Sequence, residues 1–317
     1  EYIAIGRAFE FLSGIDSLVP IIAVALVTTF YTVLGGLPVS IKTDRIQAFF
    51  IAWLIGCIVV FILSEGITST FDDAKAYNSE DAWSIGSISD YSTFEAGLAL
   101  VLAITAAEMF SQGNWQRTWA SKDTVSLQKG ALLASVLCFT AVLLFGFLGT
   151  TAAGRGALSD PSLAFFELIR DYPEAILAMF LVIGIALVCS SIDTLQNAVV
   201  AVLSRDLSDS KLGLQEARYV AIGTVPVSII LAWYFADDAL SVFRIFLVAD
   251  LFASATVLPI FLSLSARITP TGSLAGAISG LVSVVIYGAI TSDLQTGIDY
   301  LTNPVNNYGL ANLWVFV

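Results

Sequence analysis

The sequence predicts an all-α fold, a polytopic bundle of transmembrane helices. Of its 317 residues, 57% are hydrophobic and 13% are charged, and the mean hydropathy is +0.86. A soluble domain is about a quarter charged. Long apolar stretches with few charges are typical of membrane-spanning helices. Because these stretches are continuously apolar rather than alternating, they do not fit spanning strands.

Several stretches are long enough to be complete spans, since about 18 apolar residues suffice. The eight predicted spans are residues 19–37, 46–64, 94–112, 130–152, 174–202, 218–236, 242–265 and 272–291. Partial spans are predicted at 1–14 and from about 309. The chain starts inside an apolar segment and ends on "NLWVFV", so we expect residues 1–317 to be an internal piece of one longer transmembrane domain.

The charged residues predict the orientation of the chain. Most Lys and Arg lie in alternate loops, which the positive-inside rule places in the cytoplasm. These loops are residues 38–45, 113–129, 203–217 and 266–271. The other loops are acidic, and the net charge is −12. This acidic surface either concentrates cations near an access path or is simply a solvated face.

Histidine is absent from the sequence, which argues against haem, imidazole-bound metal and a histidine proton relay. The cysteines Cys57, Cys138 and Cys189 lie far apart in apolar segments and lack metal-ligand spacing. We interpret them as buried thiols.

Two shorter patterns predict packing. Gly272, Gly276 and Gly280 recur every four residues, and small residues on one face allow two helices to approach closely in lipid. In the loop 153–173, Asp160 followed by Pro161 predicts the start of a short helix. Its apolar face would lie on the membrane or on the bundle.

The stretch "LVCSSIDTLQNA", residues 187–198, places polar groups inside an apolar helix. Ser190, Asp193, Thr194 and Asn197 have the spacing i, i+3, i+4 and i+7, which puts them on one helix face. An acid within a span costs about 2.5–3.5 kcal/mol on insertion scales and is a functional candidate. Oxygen ligands suit a hard cation such as Na⁺. Hydroxyls that bond their own backbone are the alternative interpretation.

Two other acids lie within predicted spans. Glu108 is followed by Ser111 and Gln112 at i+3 and i+4, a stripe that either lines a site or faces cytoplasmic water. Asp250 lies near the middle of its span and is expected to face the interior of the bundle or a cavity. Arg244 is six residues before Asp250, so the two need not pair.

Three stretches together resemble the sodium:solute symporter family, which includes carriers of sugars, proline, pantothenate and urea. They are "YTVLGGLPVSIKTDRIQ" at 31–47, "QRTWASKDTVSLQKG" at 116–130 and "SSIDTLQNAVVAVLSRD" at 190–206. The similarity covers about residues 15–290. It implies a transporter fold of two inverted five-helix repeats, the second at about 94–265, with ion and solute bound near the membrane midplane.

The resemblance also implies a sodium site. Ser190 and Ser191 match its two hydroxyl ligands, and Leu187 matches its backbone carbonyl ligand. Asp193 and Thr194 match an acid and hydroxyl present in many members, which suggests ion binding or coupling. Asp44 matches an acid near a further sodium site and the inward exit; it could also cap a helix that begins near Arg45.

The implied substrate residues are less specific. Ala107, Glu108, Ser111 and Gln112 occupy the broken helix that touches solute in the family, although no Gly or Pro break precedes Glu108. Glu108 stands where sugar carriers have an aromatic residue, which disfavours a sugar. Asn197 and Asp250 complete the predicted set.

The predicted function is sodium-coupled symport of a small organic solute across the cytoplasmic membrane by alternating access. The partners would be Na⁺, the solute and membrane lipid, with no nucleic acid and no enzymatic activity. One alternative is a proton-coupled carrier with Asp193 or Glu108 as the proton site. Another is the symporter-like sensor region of a signalling protein. The sequence does not predict which solute binds or the oligomeric state.

Overall fold

The computed structural model describes residues 1–76, 91–156, 161–207, 213–236, 242–306 and 310–317. This part of the chain is mainly helical, and one isolated bridge pairs Val305 with Ala311. The helices are α1 (Tyr2–Ser13), α2 (Leu18–Glu65), α3 (Ile67–Ala76), α4 (Tyr91–Phe110), α5 (Gln112–Trp119), α6 (Thr124–Gly154), α7 (Ala164–Ile169), α8 (Glu174–Ala201), α9 (Leu214–Ala236), α10 (Val242–Ser263), α11 (Pro270–Thr291), α12 (Leu294–Asp299) and α13 (Leu313–Phe316). A π-helical turn, Val202–Leu207, continues α8.

The predicted class is confirmed: this is a multi-pass, helical membrane protein. Among the described residues, 6 helices are long and apolar enough to cross a membrane, or up to 7 if α4 and α5 count as one broken span. Each of the eight predicted spans falls on one of these helices. The predicted partial span at the end of the chain is helical only over Leu313–Phe316.

The predicted loop at 38–45 is wrong, because α2 is helical through it. The 48 residues of α2 would measure about 72 Å at 1.5 Å per residue, far more than the roughly 30 Å of a hydrocarbon core. Gly36 interrupts the helix with φ 57° and ψ −153°, and Pro38 follows. Glycine adopts this positive φ without the steric cost that a Cβ would bring. The capping role considered for Asp44 is also wrong, since Asp44 lies inside the helix.

The chain forms two compact units, one of residues 1–83 and 115–239 and the other of 84–114 and 240–317. In the first unit, α2 packs along α8. Thr28, Ser40 and Asp193 are fully buried there, whereas Leu26 and Phe30 are 64% and 70% exposed. Polar groups inside and large apolar groups outside suit a protein whose solvent is lipid.

The short helix α7 also belongs to the first unit, and it packs on the bundle, one of the two placements that the sequence left open. Phe165 contacts the rings of Phe145 and Phe180, with centroids 5.3 Å apart in both pairs. Ile169 is 2% exposed. The predicted cap Asp160 lies outside the described residues.

In the second unit, α10 packs against both α4 and α11. The predicted close approach of the glycine stripe is confirmed at Gly276 and Gly280, whereas Gly272 lies near Thr269 and Ile268 of the turn before α11. A methyl group on Gly276 would lie 3.2 Å from Cγ of Pro259, and one on Gly280 would lie 3.2 Å from Cβ of Ala255. Glycine at these positions therefore sets the separation of α10 and α11.

Candidate functional site

The polar stripe of α8 lies against the kinked helix α2. Asp193 is 0% exposed and Asn197 is 9% exposed. Beyond the kink at Gly36, α2 presents Ser40, Thr43 and Asp44, whose i, i+3 and i+4 spacing puts them on one face. The two stripes therefore meet inside the first unit.

Hydroxyl groups surround the carboxylate of Asp193. Ser40 donates to its Oδ1 at 2.7 Å, and Tyr31 donates to its Oδ2 at 2.9 Å. Thr43 adds a longer contact to Oδ2 at 3.3 Å. Hydrogen bonds to a charged group are among the stronger ones in proteins, so this shell compensates for burying the acid.

A guanidinium group links Asp193 to the second acid, Asp44. Arg117 of α5 forms an ion pair with Asp44, with Nη2 and Oδ2 2.8 Å apart. The same nitrogen donates to Oγ1 of Thr194 at 2.6 Å and to Oγ of Ser40 at 3.2 Å, and it lies 3.9 Å from Oδ1 of Asp193.

Ser190 joins the network from α8. Its hydroxyl donates to Oδ1 of Asp44 at 2.9 Å, and its backbone oxygen accepts from Thr194 at 2.7 Å. We call the set of Tyr31, Ser40, Thr43, Asp44, Arg117, Ser190, Asp193 and Thr194 the carboxylate cluster. With both acids ionised, its formal charge is −1, which favours a monovalent cation.

The structure thus brings together Asp44, Ser190, Asp193 and Thr194 of the predicted ion set. Leu187 and Ser191 lie half-buried on the same stretch of α8, but within the described residues the network does not include their side chains. Tyr31, Ser40, Thr43 and Arg117 were missed as site residues. For Arg117, the available signal was its place in the "QRTWASKD" stretch, whereas its charge suggested only a cytoplasmic loop.

A cavity of about 360 Å³ lies beside the carboxylate cluster in the first unit. Asn197 lines it and donates from its amide to the backbone oxygen of Asp193 at 2.9 Å. Gln116, next to Arg117 in sequence, also lines it and donates to the backbone oxygen of Asn197 at 3.3 Å. Asn197, predicted to bind solute, therefore lies between the cluster and a cavity.

The remaining predicted substrate residues lie in the second unit. The helix is broken at Ser111, between α4 and α5, which is after Glu108 and not before it. Asn114 donates to both the carboxylate and the backbone oxygen of Glu108. Ala107 and Ser111 are half-buried, and Gln112 is exposed.

Asp250 of α10 is 2% exposed, as expected for an acid that faces the interior. Its Oδ2 and the hydroxyl of Ser254, one turn later, are buried without a hydrogen-bond partner. Glu108 is close enough for its charge to act on Asp250. Among the described residues, the second unit thus holds a buried acid with a carboxylate oxygen that has no donor.

Sequence comparison places these features in a known family. A profile of the sodium:solute symporter family matches residues 1–280. The chain belongs to the sodium:solute symporter family. The spermidine transporter DUR31 of Candida albicans is 30% identical over 302 residues, which are 92% of this chain and 55% of the relative. The chain therefore spans about half the length of that relative.

The three stretches that resemble the sodium:solute symporter family meet in one network. Thr43 and Asp44 come from the first stretch, Gln116 and Arg117 from the second, and the α8 stripe from the third. They lie up to about 160 residues apart in sequence, yet all contribute hydrogen bonds to the carboxylate cluster or to its neighbour Asn197. Their combination reflects a shared site rather than separate local structures.

Proposed function

We propose that this chain is the membrane core of a sodium-coupled symporter of the cell membrane, which carries a small organic solute inward by alternating access. The observation that carries this proposal is the carboxylate cluster. It combines two carboxylates, one guanidinium and five hydroxyls in a site that is buried at Ser40 and Asp193 and half-buried elsewhere, with a formal charge of −1. Such a site attracts a monovalent cation and offers it oxygen ligands.

In this proposal, Na⁺ binds at the turn 187–194 of α8. The ligands are the carbonyl of Leu187 and the hydroxyls of Ser190 and Ser191. Asp193 and Thr194 supply charge and further oxygen atoms, and Asp44 lies on the exit path. Because Arg117 already donates to Asp44 and Thr194, a cation that uses these oxygens displaces the guanidinium.

The displacement of Arg117 would link ion binding to the position of α5. This helix follows the break at Ser111, so it can shift without deforming α4. Broken helices that respond to ion binding are typical of inverted-repeat transporters. One Na⁺ moving inward through 100 mV yields about 2.3 kcal/mol, which corresponds to about fifty-fold accumulation of solute.

For the solute, we propose an organic amine cation bound at Asp250. The relative of this chain is named a spermidine transporter, and spermidine carries protonated amines. Asp250 has a buried carboxylate oxygen without a partner, Ser254 has a hydroxyl without one, and Glu108 adds a second acid. An ammonium group would donate to these oxygens and compensate for the burial of those of Asp250 and Ser254.

Uptake of radiolabelled spermidine by the full-length protein in proteoliposomes tests both parts of the proposal. We expect uptake to need an inward Na⁺ gradient at fixed pH and to fall strongly when N-methylglucamine replaces Na⁺. Uptake that is unchanged without Na⁺ but follows a pH gradient would instead favour the proton-coupled carrier. Na⁺-driven uptake of other solutes, with none of spermidine, would retain the symporter and reject the amine.

A further inference from the structure

The cavity beside the carboxylate cluster has a polar wall that the proposed symport does not use. Its volume of about 360 Å³ lies within the range of about 300–1,000 Å³ typical of small-molecule sites. It is lined mainly by both halves of α2 around Gly36, by the end of α8 and by the start of α9. All of these elements belong to the first unit.

Two buried polar atoms in this wall have no hydrogen-bond partner. Thr32 is 5% exposed, and its Oγ1 is unpaired. Oε1 of Gln196 is likewise unpaired, while the amide nitrogen of the same side chain donates to Thr29 at 2.9 Å. A buried polar group left unpaired costs about 1–3 kcal/mol, so these atoms indicate that something else supplies their hydrogen bonds.

The cavity also has a cationic end. Arg218 of α9 is the only charged side chain among the described residues that line the cavity. Its Nη2 lies 3.1 Å from where a Cβ on Gly36 would be, so the guanidinium reaches the kink of α2. The remaining wall includes the apolar side chains of Val33, Val200 and Ile222.

We propose that this cavity is a binding site for a small organic carboxylate. Its carboxylate group accepts hydrogen bonds from Arg218, whose planar guanidinium matches a carboxylate in geometry. The hydroxyl of Thr32 donates to the same group or to a second oxygen of the ligand. The apolar body lies along Val33 and Ile222, and an N–H or O–H of the ligand donates to Gln196.

A ligand in this site would contact the kink that positions Ser40, Thr43 and Asp44. It would also contact Asn197, which donates to the backbone of Asp193. The site is therefore distinct from the carboxylate cluster, but it shares two supporting elements with it. Its charge is opposite to that of the cluster, so the two sites select different ligands.

The test is calorimetric titration of the full-length protein in nonionic detergent with two probes of similar shape, butyrate and butyramide. We expect binding of butyrate, and binding of butyramide at least about tenfold weaker, because the amide has no negative charge to pair with the guanidinium. Arg218→Gln should weaken butyrate binding by about tenfold or more, and Thr32→Val by about threefold to tenfold.

The matched control is Arg267→Gln, which removes an exposed arginine from the turn before α11 and should leave butyrate binding unchanged. If Arg218→Gln does not fold, Thr32→Val alone decides the result. Equal binding of butyrate and butyramide, no binding of butyrate, or binding unaffected by both variants would overturn the proposal. Titration in Na⁺-free buffer keeps the result independent of whether the chain is a sodium symporter.

Discussion

Asp193 and Asp250 are both buried aspartates inside membrane-spanning helices, but their surroundings differ completely. Asp193 accepts hydrogen bonds from Ser40, Tyr31 and Thr43 and lies 3.9 Å from a guanidinium nitrogen. Oδ2 of Asp250 has no donor, and Glu108 acts on this acid with a charge of the same sign. The carboxylate of Asp193 is therefore part of a hydrogen-bond network, whereas Oδ2 of Asp250 is not.

The difference indicates that the two buried aspartates have different roles. A buried charge must be compensated. At Asp193 the protein supplies the compensation, so this acid contributes to the folded structure as well as to the electrostatic field of the site. At Asp250 the described residues supply none, which is the arrangement expected where a cationic ligand provides it.

The largest predicted effect is a contrast between the two alanine variants. Asp193→Ala removes the carboxylate to which Ser40, Tyr31 and Thr43 donate and leaves the hydroxyl of Ser40 without its acceptor. Because several hydrogen bonds to a charged group are lost together, we expect the variant to destabilise the fold by about 3–5 kcal/mol. Asp250→Ala leaves no described hydrogen-bond donor without its acceptor, so the free energy of unfolding should change by less than about 1 kcal/mol. Uptake should be lost. Thermal unfolding of both variants measures the contrast, and equal losses of stability would contradict it.

A smaller effect is expected from Arg117→Gln, which changes the formal charge of the carboxylate cluster from −1 to −2. In the absence of Na⁺, the free energy of unfolding of the variant should be about 1.5–3 kcal/mol lower than that of the wild type. This is the typical contribution of hydrogen bonds to charged groups. Added Na⁺ should recover part of this loss, because ligand binding to the folded state stabilises it. The measurement is the melting temperature in NaCl against N-methylglucamine chloride at equal ionic strength. A Na⁺ response no larger than that of the wild type would show that the guanidinium and the cation do not compete.

A variant at the kink of α2 tests whether the kink positions the hydroxyl groups around Asp193. Gly36→Ala places a Cβ on a residue with φ 57°, and this Cβ would lie 3.1 Å from Nη2 of Arg218. We therefore expect the free energy of unfolding to fall by about 1–3 kcal/mol. Gly56→Ala is the control, since Gly56 is on the same helix and a Cβ there meets nothing within 4 Å. Equal melting temperatures for the two variants would show that the positive φ at Gly36 is not needed to position the hydroxyl groups around Asp193.

The smallest effect is expected from Ser191→Ala. Ser191 is a proposed ligand that takes no part in the hydrogen bonds of the carboxylate cluster among the described residues. Its removal should therefore leave stability within about 0.5 kcal/mol and raise the Na⁺ concentration for half-maximal uptake several-fold. An unshifted Na⁺ dependence would remove Ser191 from the site.

The sequence was sufficient to predict the spans and the stripe of α8, because both depend on local hydrophobic and helical periodicity. It did not predict the partners of that stripe. Tyr31 and Arg117 lie 162 and 76 residues from Asp193 in sequence, and a periodic pattern contains no information on such contacts. The sequence predicts a loop at 38–45, although "GGLP" at 35–38 is also compatible with a kink between two helical segments.

The glycines of α11 have a further consequence for selectivity. A methyl group on Gly276 would lie 3.2 Å from Pro259 and one on Gly280 would lie 3.2 Å from Ala255, so α10 and α11 are in close contact along these glycines. Because Asp250 is on α10, this close packing restricts how far its carboxylate can move toward α11. If a solute with several amines binds at Asp250, whether it fits would depend on the spacing between its charges and not on their number alone.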